Sequence, residues 1–120
     1  MKNRFNRLMI IFWVTFLFTS TDVLATPQYC SGTIANFLIS RDGTLQIYGS
    51  WRNYYTKICN MNTVWNSVSP GVCKGWLSIV QAAILSGKKV VLSYPDGVIS
   101  CAEIPVYDES PAPWYLMLIQ

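Results

Sequence analysis

Residues 69–94, SPGVCKGWLSIVQAAILSGKKVVLSY, contain the clearest structural signal in the chain. Ser69 is a good N-cap because its hydroxyl can accept a hydrogen bond from an unpaired amide of the first turn, and Pro70 suits the first helical position. Gly87 adopts a left-handed conformation without strain and so marks the helix end. One face of the segment is apolar at helical spacing, through Cys73, Trp76, Leu77, Val80 and Ile84. The stretch therefore predicts one amphipathic helix over residues 70–86 that leads into a strand.

Short β segments lie on both sides of this helix. Alternating apolar residues and turn signals predict three strands before it and three after it, at residues 29–40, 44–51, 54–61, 89–94, 98–104 and 114–119. The order β-β-β-α-β-β-β is that of a small OB-like Greek-key barrel whose helix plugs one end. An open α+β sheet with the helix on one face is the alternative. We favour the barrel because its closure would hide the edges of these apolar strands.

The first 25 residues have the pattern of a secretory signal peptide. Lys2, Arg4 and Arg7 precede an apolar run at residues 8–18, and small residues before and at Ala25 suit a signal peptidase. A membrane anchor is the alternative, but the run is shorter than the ~20 apolar residues a membrane span needs. We expect cleavage after Ala25, which leaves residues 26–120 as one secreted or periplasmic domain without a membrane span.

The charge of the predicted domain differs from that of the whole chain. The chain has a formal net charge of +3, but residues 26–120 contain six basic and five acidic side chains. A nearly neutral domain lacks the basic surface that nucleic-acid binding requires. Nucleic acid is therefore excluded as a partner.

All four cysteines lie in the predicted domain, at Cys30, Cys59, Cys73 and Cys101. An even number of cysteines in an exported chain predicts two disulfides. Metal binding is disfavoured because the chain has no CxxC pair and no histidine. Three pairings are possible. We prefer Cys59–Cys73, between the third strand and the helix start, with Cys30–Cys101 between the first strand and a late one.

The absence of histidine also argues against an enzyme. It removes the Ser-His-Asp and Cys-His systems and every histidine-ligated metal site. Asp96 and Glu103 flank one predicted strand, and Asp108 and Glu109 are adjacent in a proline-rich loop. Neither pair has the spacing and aromatic neighbours typical of glycosidase carboxylates, and no motif for a cofactor is present.

Binding is better supported, because aromatic and polar residues crowd the second predicted hairpin. Tyrosine and tryptophan give large contact areas with few rotatable bonds, and arginine and asparagine add directed hydrogen bonds. The candidate ligand-binding residues are Tyr48, Trp51, Arg52, Asn53 and Tyr55. The structural alternative is that Trp51 and Tyr54 belong to the core while Tyr48 and Tyr55 form cross-strand pairs. The segment 105–114, with Tyr107, Asp108 and Trp114, is a second candidate surface.

Three segments of the domain resemble a group of small exported bacterial proteins with four cysteines. The resemblance depends on the cysteines, Trp65, Trp76, the Gly-Lys-Lys-Val helix exit and the Pro-Ala-Pro-Trp-Tyr approach to the last strand. It implies export but carries no assigned activity. At the level of element order the chain more distantly resembles the B subunits of AB5 toxins, which are disulfide-bonded OB barrels that bind glycans as pentamers. No glycan-site residue matches, so none is transferred.

Together these patterns predict a non-enzymatic binding module without a cofactor. Its ligand would be a glycan or a protein, and oligomers are possible. The alternative is a structural or inhibitory envelope protein that joins a partner through a strand edge.

Overall fold

The computed structural model of the chain describes residues 27–95, 97 and 100–120. The predicted signal peptide, residues 1–25, lies outside the described residues. The described residues form six strands, one α-helix and a short 3-10 turn: β1 (Gln28–Gly32), β2 (Ile34–Ile39), β3 (Thr44–Gly49), β4 (Tyr54–Asn60), α1 (Pro70–Ser86), β5 (Val90–Tyr94), the 3-10 turn Cys101–Glu103, and β6 (Tyr115–Leu118).

The strands form two antiparallel sheets of three strands each, in the orders β1-β5-β6 and β2-β3-β4. Only Thr33 separates β1 from β2, so one nearly continuous stretch of chain supplies a strand to each sheet. The fold is therefore a small β-rich α+β domain. Within the described residues no strand pair joins the two sheets into a closed barrel, and the OB-like barrel stays a prediction.

Two strand predictions differ from the structure. The predicted first strand, residues 29–40, divides at Thr33 because its two halves pair with different partners, β5 and β3. The predicted strand at residues 98–104 is wrong where it can be compared, since Cys101–Glu103 is a 3-10 turn and residues 98–99 lie outside the described part. The segment has an apolar pattern because it is attached to the core: Ile104 is fully buried there and Cys101 forms a disulfide.

The helix has the predicted bounds and caps. Ser69 Oγ accepts a hydrogen bond from the Val72 amide at 3.2 Å, and Gly87 ends the helix with φ 69°. The buried helix residues are Cys73, Trp76, Val80 and Ala83. They pack on the core that the two sheets share, and the helix contacts β2, β4 and β6. No helix in the described ranges is both long enough and apolar enough to span a membrane.

Both preferred disulfides are present. Cys30–Cys101 joins β1 to the 3-10 turn, and Cys59–Cys73 joins β4 to the first turn of α1, with Cα–Cα distances of 5.6 and 5.5 Å. They connect each sheet to an element outside it. A domain this small buries a modest share of its surface, so the two disulfides add stability to that of a small hydrophobic core.

Candidate functional site

The aromatic hairpin of the sequence is the connection between β3 and β4. The chain turns at residues 50–53, where Asn53 is exposed and takes the left-handed conformation with φ 54°. Tyr48 lies directly opposite Tyr55 in the strand register, and their rings meet edge to face with centroids 5.3 Å apart. The cross-strand pair that was the structural alternative for Tyr48 and Tyr55 is therefore confirmed. Both side chains remain partly exposed.

Trp51 is a packing residue of this hairpin. Its six-membered ring covers Gly49, where a Cβ atom would overlap the ring, and it also contacts the position of a Cβ on Gly32 at 3.2 Å. The indole N–H is buried and has no hydrogen-bond partner among the described residues. Trp51 therefore packs the turn against the neighbouring strand ends while its side chain stays partly exposed, and its contact with a ligand stays a prediction.

Arg52 contacts a distant part of the chain. Its Nε donates a hydrogen bond of 2.7 Å to the carbonyl oxygen of Ile104. This contact ties the hairpin turn to the segment that follows the 3-10 turn. The structure thus divides the predicted site: Tyr48 and Tyr55 stay together, Trp51 and Arg52 hold the backbone, and Asn53 occupies the turn.

The segment after the 3-10 turn lies along the outer edge of β4. A parallel bridge pairs Thr56 with Tyr107, in which the Tyr107 amide donates to the Tyr55 carbonyl at 2.9 Å and the Lys57 amide to the Tyr107 carbonyl at 3.3 Å. Ser110 supports the bridge, since its Oγ accepts from the Lys57 amide at 3.1 Å and lies 2.7 Å from the carbonyls of Pro105 and Tyr107. The β4 edge is therefore covered from Tyr55 to Lys57.

This bridge places Tyr107 against Tyr54. The two rings meet edge to face with centroids 5.4 Å apart, and the Tyr107 hydroxyl donates to the Tyr54 hydroxyl at 3.5 Å. The hydrogen bond to Tyr54 is the main reason that the pKa of Tyr107 is raised, with smaller contributions from burial and from the nearby Tyr54 and Tyr55. Tyr107 adopts φ 54°, an uncommon conformation for tyrosine.

We call the four residues Tyr48, Tyr54, Tyr55 and Tyr107 the tyrosine rim. Tyr54 and Tyr55 are consecutive on β4, so their side chains leave opposite faces of the strand. The two edge-to-face pairs therefore lie on either side of the first residues of β4. Tyr54 is 43% exposed and Tyr107 45% exposed. The rim is aromatic, carries hydroxyls and has no formal charge at neutral pH.

An ion pair borders the rim. Lys57 Nζ lies 3.6 Å from a carboxylate oxygen of Asp108 and 4.7 Å from the ring centroid of Trp65. The Lys57 side chain is only 10% exposed, whereas that of Asp108 is 77% exposed. The lysine charge is thus engaged by a carboxylate and an aromatic ring, and the exposed polar group at this border is a carboxylate.

The structure places both candidate surfaces of the sequence beside β4, on opposite faces of the strand. Sequence reasoning assigned Tyr48 and Tyr55 to one candidate site and Tyr107 to another, whereas the parallel bridge places all three around β4. Nothing in the local pattern of residues 105–110 indicated a parallel contact with a strand 50 residues earlier. Trp114, 62% exposed, lies just before β6.

An apolar groove lies elsewhere, between β2 and the end of α1. It is lined by Phe37, Gln81, Ile84 and Leu85 and has a volume of about 450 Å³. Leu85 is 89% exposed. No cluster of three metal-binding side chains occurs in the described parts of the chain.

Comparison with known proteins identifies no relative: no family model matches the chain, and no curated protein or solved structure matches it significantly.

Proposed function

We propose that this protein is a secreted or periplasmic non-enzymatic binding module whose glycan or protein ligand contacts the tyrosine rim. The observation that carries the proposal is the meeting of three chain segments there. Tyr48 comes from β3, Tyr54 and Tyr55 from β4, and Tyr107 from the segment bridged to β4. Backbone hydrogen bonds hold these segments together, so the pair of rings on each face of β4 has little freedom to reorient.

The chemistry of the rim suits a neutral polar ligand. An exposed tyrosine face can stack on the apolar face of a sugar ring or on a peptide, and its hydroxyl can donate or accept a hydrogen bond. The exposed carboxylate of Asp108 adds an acceptor for ligand hydroxyls or amides. Asn53, exposed in the adjoining turn, could add a directed contact.

A location outside the cytoplasm accords with the cysteine chemistry. Both disulfides connect elements of one small domain, and such bonds form and persist in oxidising compartments. The predicted signal peptide supplies the export route.

The test compares binding of the purified protein with that of matched tyrosine variants. A glycan array and an affinity pull-down from extracts are probed with the wild type, Tyr55→Ala, Tyr107→Ala and the control Tyr29→Ala. Tyr29 is 56% exposed but belongs to the other sheet. We expect a reproducible ligand whose signal is lost in at least one rim variant and kept in Tyr29→Ala, and the variant that loses binding identifies the face of β4 that the ligand contacts. Equal binding by all four folded proteins would refute the rim as the site.

A second candidate function uses strand edges, and the composition of β2 and β6 favours it. Each of these strands is the last of its sheet and pairs on one side only within the described residues. Exposed edges in natural proteins are normally protected by charges or prolines, but neither Ile34–Ile39 nor Tyr115–Leu118 contains one. Met117 is 48% exposed on β6. On this proposal the protein is a structural or inhibitory envelope component, and edge pairing could also join its own copies.

A charge placed on β6 tests this alternative. Met117→Lys should abolish assembly, measured by light scattering coupled to size exclusion, while the melting temperature stays close to that of the wild type. Gln120→Lys adds the same charge beyond the strand and should assemble normally. Assembly that survives Met117→Lys would exclude the β6 edge.

We also propose that the two sheets form a partly open OB-like barrel, related to small exported bacterial proteins and more distantly to AB5 toxin B subunits. Support comes from the shared stretch β1–β2, from the helix between β4 and β5, and from the parallel bridge at Thr56 and Tyr107. Strong hydrogen-exchange protection of the Tyr107 amide would support the bridge that partly closes the barrel. Rapid exchange there would leave an open pair of sheets.

A further inference from the structure

We propose that Tyr54 and Tyr107 form a site of oxidative cross-linking, at which a one-electron oxidant of the peroxidase class joins the two rings as dityrosine. The proposal does not depend on the binding function of the rim. It depends on the juxtaposition of two accessible phenols that lie 53 residues apart in the chain.

The geometry brings together the atoms that must react. In tyrosine coupling, a bond forms between the two ring carbons next to the hydroxyl-bearing carbons. The hydroxyl oxygens of Tyr54 and Tyr107 are 3.5 Å apart and the ring centroids 5.4 Å apart, so the ortho carbons of both rings lie near the point of contact. A rotation of one ring about its own axis turns the edge-to-face pair toward coupling.

Both phenols are open to an oxidant, and both backbones are fixed. Their exposures of 43% and 45% allow an oxidised small molecule or a peroxidase surface to reach them. Tyr54 lies in β4, and Tyr107 is held by the 2.9 Å hydrogen bond from its amide to the Tyr55 carbonyl. The pair therefore meets repeatedly in one geometry, which favours coupling within a molecule over coupling between molecules.

The reaction balances with hydrogen peroxide as the terminal oxidant. Each phenol loses one electron and one proton and becomes a phenoxyl radical. The radicals combine by forming one carbon–carbon bond, and each coupled ring carbon then releases its hydrogen while the oxygen regains a proton. The protein loses two hydrogen atoms in total, and hydrogen peroxide is reduced to two molecules of water.

The neighbouring pair provides an internal comparison. Tyr48 and Tyr55 have nearly the same centroid distance, 5.3 Å, but no hydrogen bond joins their hydroxyls, whereas one joins those of Tyr54 and Tyr107. Both Tyr48 and Tyr55 are also less exposed than Tyr54. Coupling should therefore be selective for Tyr54 and Tyr107.

The product would be a third covalent link in the fold. It would tie the segment that covers the β4 edge to β4 itself, close to the Arg52–Ile104 hydrogen bond. A cross-link between distant positions restricts the unfolded chain and so favours the folded state. Oxidation would thus attach this segment covalently to the edge of β4.

The experiment treats the purified, disulfide-intact protein with horseradish peroxidase and hydrogen peroxide at low protein concentration. Monomers are isolated, reduced, alkylated and digested with trypsin. A Tyr54–Tyr107 bond joins peptide 53–57 to peptide 90–120, whereas a Tyr48–Tyr55 bond joins peptide 42–52 to peptide 53–57. We expect the first pair to predominate, with a mass lower than the sum of its peptides by two hydrogen atoms.

Conservative variants identify the reacting residues. Tyr107→Phe and Tyr54→Phe keep the ring and should lose the 53–57/90–120 product, while Tyr55→Phe and Tyr48→Phe should retain it. The wild type unfolded in denaturant after reduction should lose the selectivity. The proposal is overturned if monomers contain no dityrosine, if the 42–52/53–57 product equals or exceeds the other, or if Tyr55→Phe removes the product.

Discussion

The guanidinium Nε of Arg52 donates a hydrogen bond of 2.7 Å to the carbonyl oxygen of Ile104, 52 residues later in the chain. Ile104 is fully buried, and the segment after it bridges to β4 through Tyr107. One side chain in a hairpin turn thus fixes the start of the segment that supplies a quarter of the tyrosine rim. This geometry gives Arg52 a positioning role, and its contact with a ligand stays a prediction.

Replacing Arg52 should therefore weaken the attachment of the segment after Ile104 to the hairpin turn and destabilise the fold. Arg52→Ala leaves the Ile104 carbonyl without its charged donor, and hydrogen bonds to charged groups contribute about 1.5–3 kcal/mol. Because Arg52 is partly exposed, we expect a loss of about 1–2 kcal/mol in the free energy of unfolding. Urea denaturation measures it. Arg41→Ala, at an exposed turn, is the matched control and should change stability by less than about 0.5 kcal/mol. Equal effects of the two substitutions would contradict a positioning role.

Two glycines should respond in opposite directions to alanine. At Gly49 a Cβ would overlap the Trp51 ring, and forced overpacking costs about 1–3 kcal/mol. At Gly75, within α1, a Cβ meets no atom within 4 Å, so alanine should stabilise the helix by up to about 1 kcal/mol. Thermal unfolding of Gly49→Ala and Gly75→Ala measures both changes. A neutral Gly49→Ala would mean that the Trp51 ring can move aside.

Much of this fold follows from local signals. The caps at Ser69 and Gly87 predicted the helix to its exact ends because capping chemistry depends on adjacent residues. The preferred cysteine pairing was also confirmed, although Cys101 lies in a 3-10 turn and not in the strand predicted for it.

What sequence reasoning missed depends on contacts between distant segments. Alternation at residues 98–104 suggested a strand, but Ile104 is apolar because it anchors an irregular segment in the core. The contact of Tyr107 with β4 is a single parallel bridge, and such a bridge has no periodicity to detect. For Arg52, sequence alone shows the turn in which the residue lies but not the Ile104 carbonyl to which it donates.

The two disulfides should differ in their effect on stability. Cys30–Cys101 closes 71 residues and Cys59–Cys73 only 14. Loop-closure entropy predicts that removing either bond costs about 2–5 kcal/mol, with the longer loop costing about 1.4 kcal/mol more. Denaturation of the Cys30→Ala/Cys101→Ala and Cys59→Ala/Cys73→Ala double variants compares them. A larger loss for the shorter loop would show that packing of the fully buried Cys59 and Cys73 outweighs chain entropy.

Alkaline pH should unfold the protein through Tyr94. This residue is fully buried between the sheets, and burial raises the pKa of its hydroxyl well above the ordinary value of 10.0. The Thr56 hydroxyl opposes this increase in the pKa of Tyr94. Neither the Tyr94 nor the Thr56 hydroxyl has a partner at hydrogen-bond distance among the described residues. The folded state therefore holds the proton more tightly than the unfolded state does.

The sign of the effect follows from this difference. Below pH 10 the phenol is neutral in both states, and stability is complete; as pH rises above 10 the unfolded chain ionises first, and stability falls. Tyr94→Phe removes the ionisable group and should flatten the fall of the free energy of unfolding above pH 10. At neutral pH it should be neutral or stabilising by up to about 1 kcal/mol, because it deletes a buried hydroxyl without a partner. Tyr29→Phe, at an exposed position, should retain the wild-type pH profile. A fall above pH 10 as steep in Tyr94→Phe as in the wild type would assign the alkaline transition to another group.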